Sequence, residues 1–322
     1  MSDPGTIAVT GLGTFLGKRL QRRLLGRRSR RPLVAIDSRR PYGLPRTVHF
    51  HSVDLTDPTA DGALAEVFEK EGVGAVLHAA FRSEPTAAVD YDHELETIGT
   101  LHLLNACAAG GVRRLVVAST TRVYGPHPDN PNFLTEDHPI RGHADAHNIR
   151  NRVEAEGLVA DFARRHPEVE VTVLRPCLIM GPTYHDPYVR HFDRHTVPIV
   201  LGYDPLIQFL HEEDCLHAFE VALLEGRPGV FNLVGRGVVP LTTLLRSAGK
   251  RPLPIPAPLL YRLGRVPSEA QTGDPPGAFF DYLRWLFVAD GSKGWDAFGE
   301  PHYSTREAWM SFISSRRMRA YR

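Results

Sequence analysis

The chain is predicted to be an α/β protein, a doubly wound parallel sheet followed by a smaller C-terminal substrate lobe, and three observations carry that expectation. Short β-branched runs alternate with longer helical stretches over the first half, the pattern of strands buried on both faces by crossover helices. The first of those runs leads straight into a glycine-rich turn, Thr10-Gly11-Leu12-Gly13-Thr14-Phe15-Leu16-Gly17. Beyond Gly181 the texture changes to Pro, Gly, His and aromatic residues, which marks a differently built region.

At 322 residues the chain can bury a core large enough for a nucleotide-binding unit with an appendage. Strands are expected at residues 7–10, 33–36, 48–53, 75–78, 115–118 and 170–174. Helices are expected at 97–109 and 146–165, the second stopped by Pro167. Residues 250–258 read as a proline-rich connector rather than a helix. The division that follows is a dinucleotide-binding domain over 1–182 and a substrate lobe over 183–322.

Composition removes several function classes. A formal net charge of +1 gives no bulk electrostatic case for nucleic acid, and four lysines against thirty-four arginines fit the codon usage of a GC-rich genome rather than an anionic partner. Cys107, Cys177 and Cys215 show no CxxC spacing and sit in apolar runs. Reduced, packed thiols and no metal are therefore expected, in a cytoplasmic protein. No apolar run approaches membrane-spanning length and no leader-like segment precedes the first strand, so no membrane partner is expected.

Glycines at a strand-to-helix turn let backbone approach a pyrophosphate, whose charge meets the N–H groups of the helix N-terminus. Here that turn is answered by Asp37 at the end of the second strand, twenty residues after Gly17. A carboxylate there accepts from the adenosine ribose hydroxyls and repels a 2′-phosphate, which argues for NAD. Arg39 and Arg40 follow at once and offer guanidinium groups to such a phosphate, which keeps NADP open.

With these residues in place, the chain resembles the extended short-chain dehydrogenase/reductase family, the NAD-dependent epimerase/dehydratase-like group, over nearly its whole length. In the TGxxGxxG turn, Thr10, Gly11 and Gly17 match, Thr14 stands where the middle glycine belongs, and Gly13 lies one residue early. Further matches are Asp54-Leu55, His78-Ala79-Ala80, Ser119-Thr120 before Val123-Tyr124-Gly125, Arg175-Pro176 before Gly181-Pro182, and the block from Gln208 to Asp214. The resemblance implies a Rossmann-like fold in which residues 207–234 return to the sheet. It implies that Gly11, Gly13, Thr14, Phe15, Leu16 and Gly17 hold pyrophosphate, Asp37 and Arg39 the adenosine ribose end, and Asp54 and Leu55 the adenine. Ala79, Ala80, Phe81, Pro176 and Cys177 would line the central and nicotinamide parts, and a homodimer would pair through the helix that holds Arg152.

The family's catalytic set is a Ser or Thr, a Tyr, and a Lys four residues after the Tyr. That spacing stacks phenol and ammonium on one helix face, where the cation favours the phenolate. Thr120 matches the hydroxyl, but Asn148 and Arg152 stand at the Tyr and Lys positions, and none of the ten tyrosines has a Lys four residues on. Glu96 likewise replaces the Asn that precedes Gly-Thr in relatives. Arg152 keeps donors for a ribose, yet its pKa makes it no proton source, and Asn148 can only orient a carbonyl. Tyr184, His185 and Tyr188 either line a substrate pocket or pack on the second lobe.

Three readings follow. One is an atypical NAD(P)H-dependent ketoreductase acting on a small molecule such as an aromatic polyketide, whose own phenol protonates the carbonyl oxygen. The second is a nucleotide-sugar epimerase or dehydratase. The third is a non-catalytic dinucleotide-binding sensor.

Overall fold

A computed structural model describes residues 5–26, 31–82, 86–263 and 276–320. Seven strands form one parallel sheet in the order Gly229–Leu233, Glu170–Pro176, Arg114–Ala118, Val73–His78, Thr6–Thr10, Leu33–Asp37, His49–Ser52. The chain winds outward from Thr6–Thr10 through the second and third strands, then crosses back to lay Val73–His78 on its other side. That reversal opens a crevice at the carboxyl ends of the two central strands, the place where open α/β sheets bind ligands.

Strand side chains alternate between faces, and the sheet accordingly separates two cores. Ile7, Val9, Ala35, Leu77 and Val116 pack on one side with Leu20 of helix Phe15–Leu25 and Phe219 of helix Glu212–Glu225. Ala8, Val34, Ile36, Val76 and Val117 pack on the other with Leu64, Leu103, Val159 and Phe162 of helices Ala60–Glu71, Gly99–Ala109 and His147–Arg165. The near-continuous apolar strands are thus explained by burial on both faces. Cys107, Cys177 and Cys215 are buried and unpaired with one another.

The remaining elements sit over one end of the sheet. Leu178–Met180 pairs parallel with Phe209–His211, and Thr196–Val200 pairs parallel with Arg251–Ile255. The expected connector at 250–258 is therefore a strand followed by helix Ala257–Leu263. Arg251 N–H donates to His195 O at 2.9 Å, so Pro252 and Pro254, one residue out of phase, turn their missing donors away from the partner strand, as an edge strand allows. Pro258 lies in the first helical turn, where no intrahelical donor is lost. Phe192, Phe209, Trp309 and Phe312 form the aromatic heart of this lobe, with Phe209 and Trp309 stacked at 5.9 Å.

Among the described residues no helix is long and apolar enough to cross a membrane, and no cluster of side chains has metal-binding geometry.

Candidate active site

The first wall of the crevice is made by close backbone approach. Gly11 has φ +72°, and a Cβ there would lie 2.4 Å from Ala79 O; a Cβ on Gly17 would lie 2.3 Å from Gly11 O. Both glycines are required by space, and Gly11 also by its left-handed conformation. Gly13 has nothing within 4 Å of its would-be Cβ, so its backbone faces open space where a pyrophosphate can approach. Thr14 in the family's glycine position caps helix Phe15–Leu25: its Oγ1 accepts from Gly17 N at 3.1 Å and donates to Gly11 O at 2.8 Å. Across the crevice His78 is fully buried between Thr10 Oγ1 and Thr100 Oγ1, each 2.9 Å from a ring nitrogen. Burial, with the charge of Arg152 second, pushes its pKa down to about 3. It is a neutral strut that fixes the turn Ala79-Ala80-Phe81.

At the outer edge, Asp37 ends the second strand and its Oδ1 accepts Ser38 N–H at 2.8 Å. Arg39 is exposed, while Arg40 lies over the Phe50 ring at 5.6 Å. Asp54 is exposed and accepts from Thr56 N and Oγ1. Leu55 is buried against Gly99, whose added Cβ would lie 2.9 Å from Leu55 Cβ. These residues follow the carboxyl ends of the second and third strands, apart from the central cavity.

That cavity is an open cleft with about 660 Å³ of empty space, open solvent at its mouth included. It unites Thr14, Phe15, Leu16, Ala79, Phe81, Pro176 and Cys177 with Thr120, Arg152 and Tyr184. Arg82, Arg122 and Asp186, which no sequence motif marks, line it too. Thr120 follows the fifth strand, and its Oγ1 accepts Arg122 N–H at 3.3 Å, which leaves its own proton to donate. Its neighbour Ser119 is committed inward, donating to Glu156.

Arg152 projects from the long helix His147–Arg165 into this space. Its Nη1 donates to Ala118 O at 2.9 Å, its guanidinium lies 3.9 Å from the Phe81 ring centroid, and its Nε is buried without a hydrogen-bond partner. Burial draws its pKa down to about 10, against the attraction of Glu96. Glu96 itself is fully buried in a π-helical turn, Glu94–Ile98, and accepts Arg82 N–H at 2.6 Å. Burial raises its carboxyl to about 7, opposed by Arg152. Desolvation shifts both partners toward neutrality more than their mutual attraction restores.

Beneath the floor lies a second buried charge pair. Arg175 Nη2 donates to Glu156 Oε2 at 2.6 Å and its Nη1 to Tyr124 Oη at 2.9 Å, and Tyr124 donates on to Asn232 Oδ1 at 2.8 Å. This network ties together the strand end that presents Pro176 and Cys177, the long helix and the returning strand. The Cys177 thiol, pushed up to about 12 by burial, is a wall rather than a nucleophile.

Of the residues expected to act on or hold the substrate, Asn148, His185 and Tyr188 are not brought to the cavity surface. Asn148 is buried in the first turn of the long helix and does not line it. His185 lies 3.1 Å from Arg316 of the C-terminal helix. Tyr188 stacks on Phe279 at 4.4 Å, with Arg122 over its ring at 5.4 Å. It thus packs on the second lobe and behind the cavity-lining Arg122.

The crevice at the switch point, the glycine cradle and the acidic end of the second strand define a dinucleotide-binding α/β protein. The NAD dependent epimerase/dehydratase family model matches residues 7–233, and the chain belongs to that family. It is similar to an uncharacterised protein of Mycobacterium tuberculosis, 31% identical over 97% of this chain and 84% of that one. Among solved structures it is similar to UDP-glucose 4-epimerase with UDP-glucose from Thermotoga maritima, at 20% identity, TM-score 0.73, and 98% and 99% coverage of the two chains. The dTDP-glucose 4,6-dehydratase of Bacillus anthracis in complex with NAD is likewise similar, at 17% identity, TM-score 0.73, and 98% and 97% coverage.

Proposed function

We propose that this chain is an NAD(P)H-dependent reductase of a carbonyl compound, with a hydroxyaryl ketone of the aromatic-polyketide kind as its substrate class. The observation that supports it is the cavity where Thr120, Arg122 and Arg152 meet the dinucleotide cradle. A wall of hydroxyl and guanidinium donors suits an oxygen that gains negative charge, which is what a carbonyl oxygen does during reduction. The coenzyme, when bound, supplies the hydride. Gly11 through Gly17 hold its pyrophosphate, Asp37 its adenosine ribose, Asp54 and Leu55 the adenine, and Ala79 to Phe81 its central part. Thr120 donates to the substrate oxygen. Arg152 reaches the ribose or the substrate, and Asn148 supports the helix turn that carries it. A phenol beside the ketone can pass its own proton to that oxygen, and the resulting phenolate finds cations in Arg122 and Arg152.

A second reading is conversion of a nucleotide sugar. The named structural neighbours favour it, and the guanidinium groups that line the cavity also suit a diphosphate. Incubation with NADH or NADPH and either 2′-hydroxyacetophenone, acetophenone or UDP-glucose separates the two. Coenzyme oxidation with the ketones is expected; sugar conversion without net oxidation would replace the reductase reading.

A further inference from the structure

The site described so far has donors in plenty, but the long helix His147–Arg165 brings it no phenol. The side chains that line the cavity include only one tyrosine among the described residues, Tyr184, on the loop after Leu178–Met180. We propose that Tyr184 is the protein's own proton donor, a catalytic phenol brought from the loop to face Arg152 of the long helix, so that a phenol and a cation meet across two elements.

Several independent contacts hold Tyr184 in the cavity wall. Tyr184 is buried, its ring set edge-on to Phe15 at 4.9 Å and 87°, which seats it against the dinucleotide cradle. Its backbone is pinned: Tyr184 N and Thr183 N donate to Glu212 Oε2 at 2.8 and 2.9 Å, and Thr183 Oγ1 donates to Oε1 at 2.9 Å. Glu212 is itself buried at the start of helix Glu212–Glu225, and Gly181 leaves it room, since a Cβ there would lie 2.5 Å from Glu212 Cγ. The loop is thus clamped in one position, as a catalytic group requires. Tyr184 and Arg152 line the same cavity, where a guanidinium favours a phenolate.

Of the other titratable groups that line the cavity, Arg82, Arg122 and Arg152 are cations and the Cys177 thiol is pushed up to about 12 by burial. The competing acid is Asp186, whose carboxyl burial raises above the usual range and whose Oδ1 accepts Val189 N–H at 2.7 Å. In the step, the substrate oxygen keeps the electron pair of its broken C=O π bond while its carbon takes the hydride. The proton leaves Tyr184 Oη for that oxygen, and water at the cavity mouth reprotonates the phenolate. A ketone that lacks a neighbouring phenol depends on Tyr184 entirely. The assignment rests on the carbonyl-reduction reading, and its test is built so that the two can fail separately.

Ultraviolet titration of the full chain, wild type minus Tyr184→Phe, isolates the ionisation of this one phenol without any substrate. In an Arg152→Gln background its midpoint is expected to move up by about one pH unit. A midpoint indifferent to Arg152 overturns the pairing. With acetophenone and reduced coenzyme, Tyr184→Phe is expected to lose on the order of a hundredfold or more in turnover while coenzyme affinity stays within about twofold. Undiminished turnover, or a loss matched by lost coenzyme binding, also overturns it. If the wild type oxidises no coenzyme with any carbonyl, the reductase reading fails and the titration alone decides whether Tyr184 and Arg152 form the pair.

Discussion

The two walls of the crevice are built on opposite principles. On the dinucleotide side the requirement is absence of atoms: Gly11 and Gly17 sit where any side chain would strike backbone, and the buried His78 behind the turn is held neutral. On the side of the long helix the requirement is charge under burial: Arg152, Glu96, Glu156 and Arg175 are all 9% exposed or less. Binding a coenzyme through its phosphates needs oriented N–H groups and close approach, whereas handling a developing charge on oxygen needs fixed charges in a dry site. The first wall tolerates no added volume at Gly11 or Gly17, and the second no uncompensated charge.

The largest expected effect comes from volume. Gly11→Ala places a Cβ 2.4 Å from Ala79 O at a φ of +72°, so the turn must open or the strand ends must part. Coenzyme affinity, measured by fluorescence titration of NADH, is expected to fall at least a hundredfold, about 3 kcal/mol. Gly13→Ala adds the same methyl where nothing lies within 4 Å, and the melting temperature should not move. If the two variants behave alike, the contrast between the walls is false.

A smaller effect tests the charged wall. The Glu96 carboxyl is pushed up to about 7 in the folded protein, against an ordinary 4.5, chiefly because it is buried. Between those two values the folded state keeps a proton that the unfolded state has lost. Stability attributable to this group is therefore complete below about 4.5 and is lost as pH rises to about 7, a fall on the order of 3 kcal/mol at most. Glu96→Gln keeps the shape and cannot ionise, so the difference in urea-unfolding free energy between wild type and variant should slope over that window and level off above it. A difference that is flat from pH 5 to 8 would mean that this wall bears no buried-charge cost.

The two walls also differed in how far they could be read from sequence. The glycine turn was legible because strand, turn and helix are contiguous, so local order states the geometry. Even the exception there, Thr14, obeys a local rule, a hydroxyl at a helix N-cap. The charged wall comes from helices, turns and a strand end scattered along the chain. Arg122 and Asp186 enter the cavity only because a 3₁₀ turn over Thr121–Tyr124 and a short helix from Pro187 aim them. His185 and Tyr188 flank Asp186 on that same stretch and were expected beside Tyr184, yet the helix capped by Asp186 carries Tyr188 against Phe279, and His185 meets Arg316. The strand at Arg251–Ile255 was hidden for a similar reason: its pairing partner lies more than fifty residues earlier, and its prolines disguise an edge strand as a linker.

The smallest expected effect lies at the far end of the coenzyme wall and decides which dinucleotide it holds. Asp37 is the acidic residue at the carboxyl end of the second strand, with one carboxylate oxygen already taken by Ser38 N–H. Its other oxygen remains for a ribose hydroxyl, and its charge opposes a 2′-phosphate. Arg40, drawn over Phe50 and within 3.5 Å of Leu44 O, is turned to local contacts, so Arg39 is the guanidinium left to meet such a phosphate. Asp37→Asn should then weaken NADH about tenfold, roughly 1.4 kcal/mol, and leave NADPH unchanged or tighter, as read by paired titrations of the two coenzymes. If NADPH binds the wild type more tightly and Arg39→Ala removes that advantage, the arginine rather than the carboxylate sets the choice. Even this wall would then depend on a charge at its rim, and the contrast would hold only for its glycine-built centre.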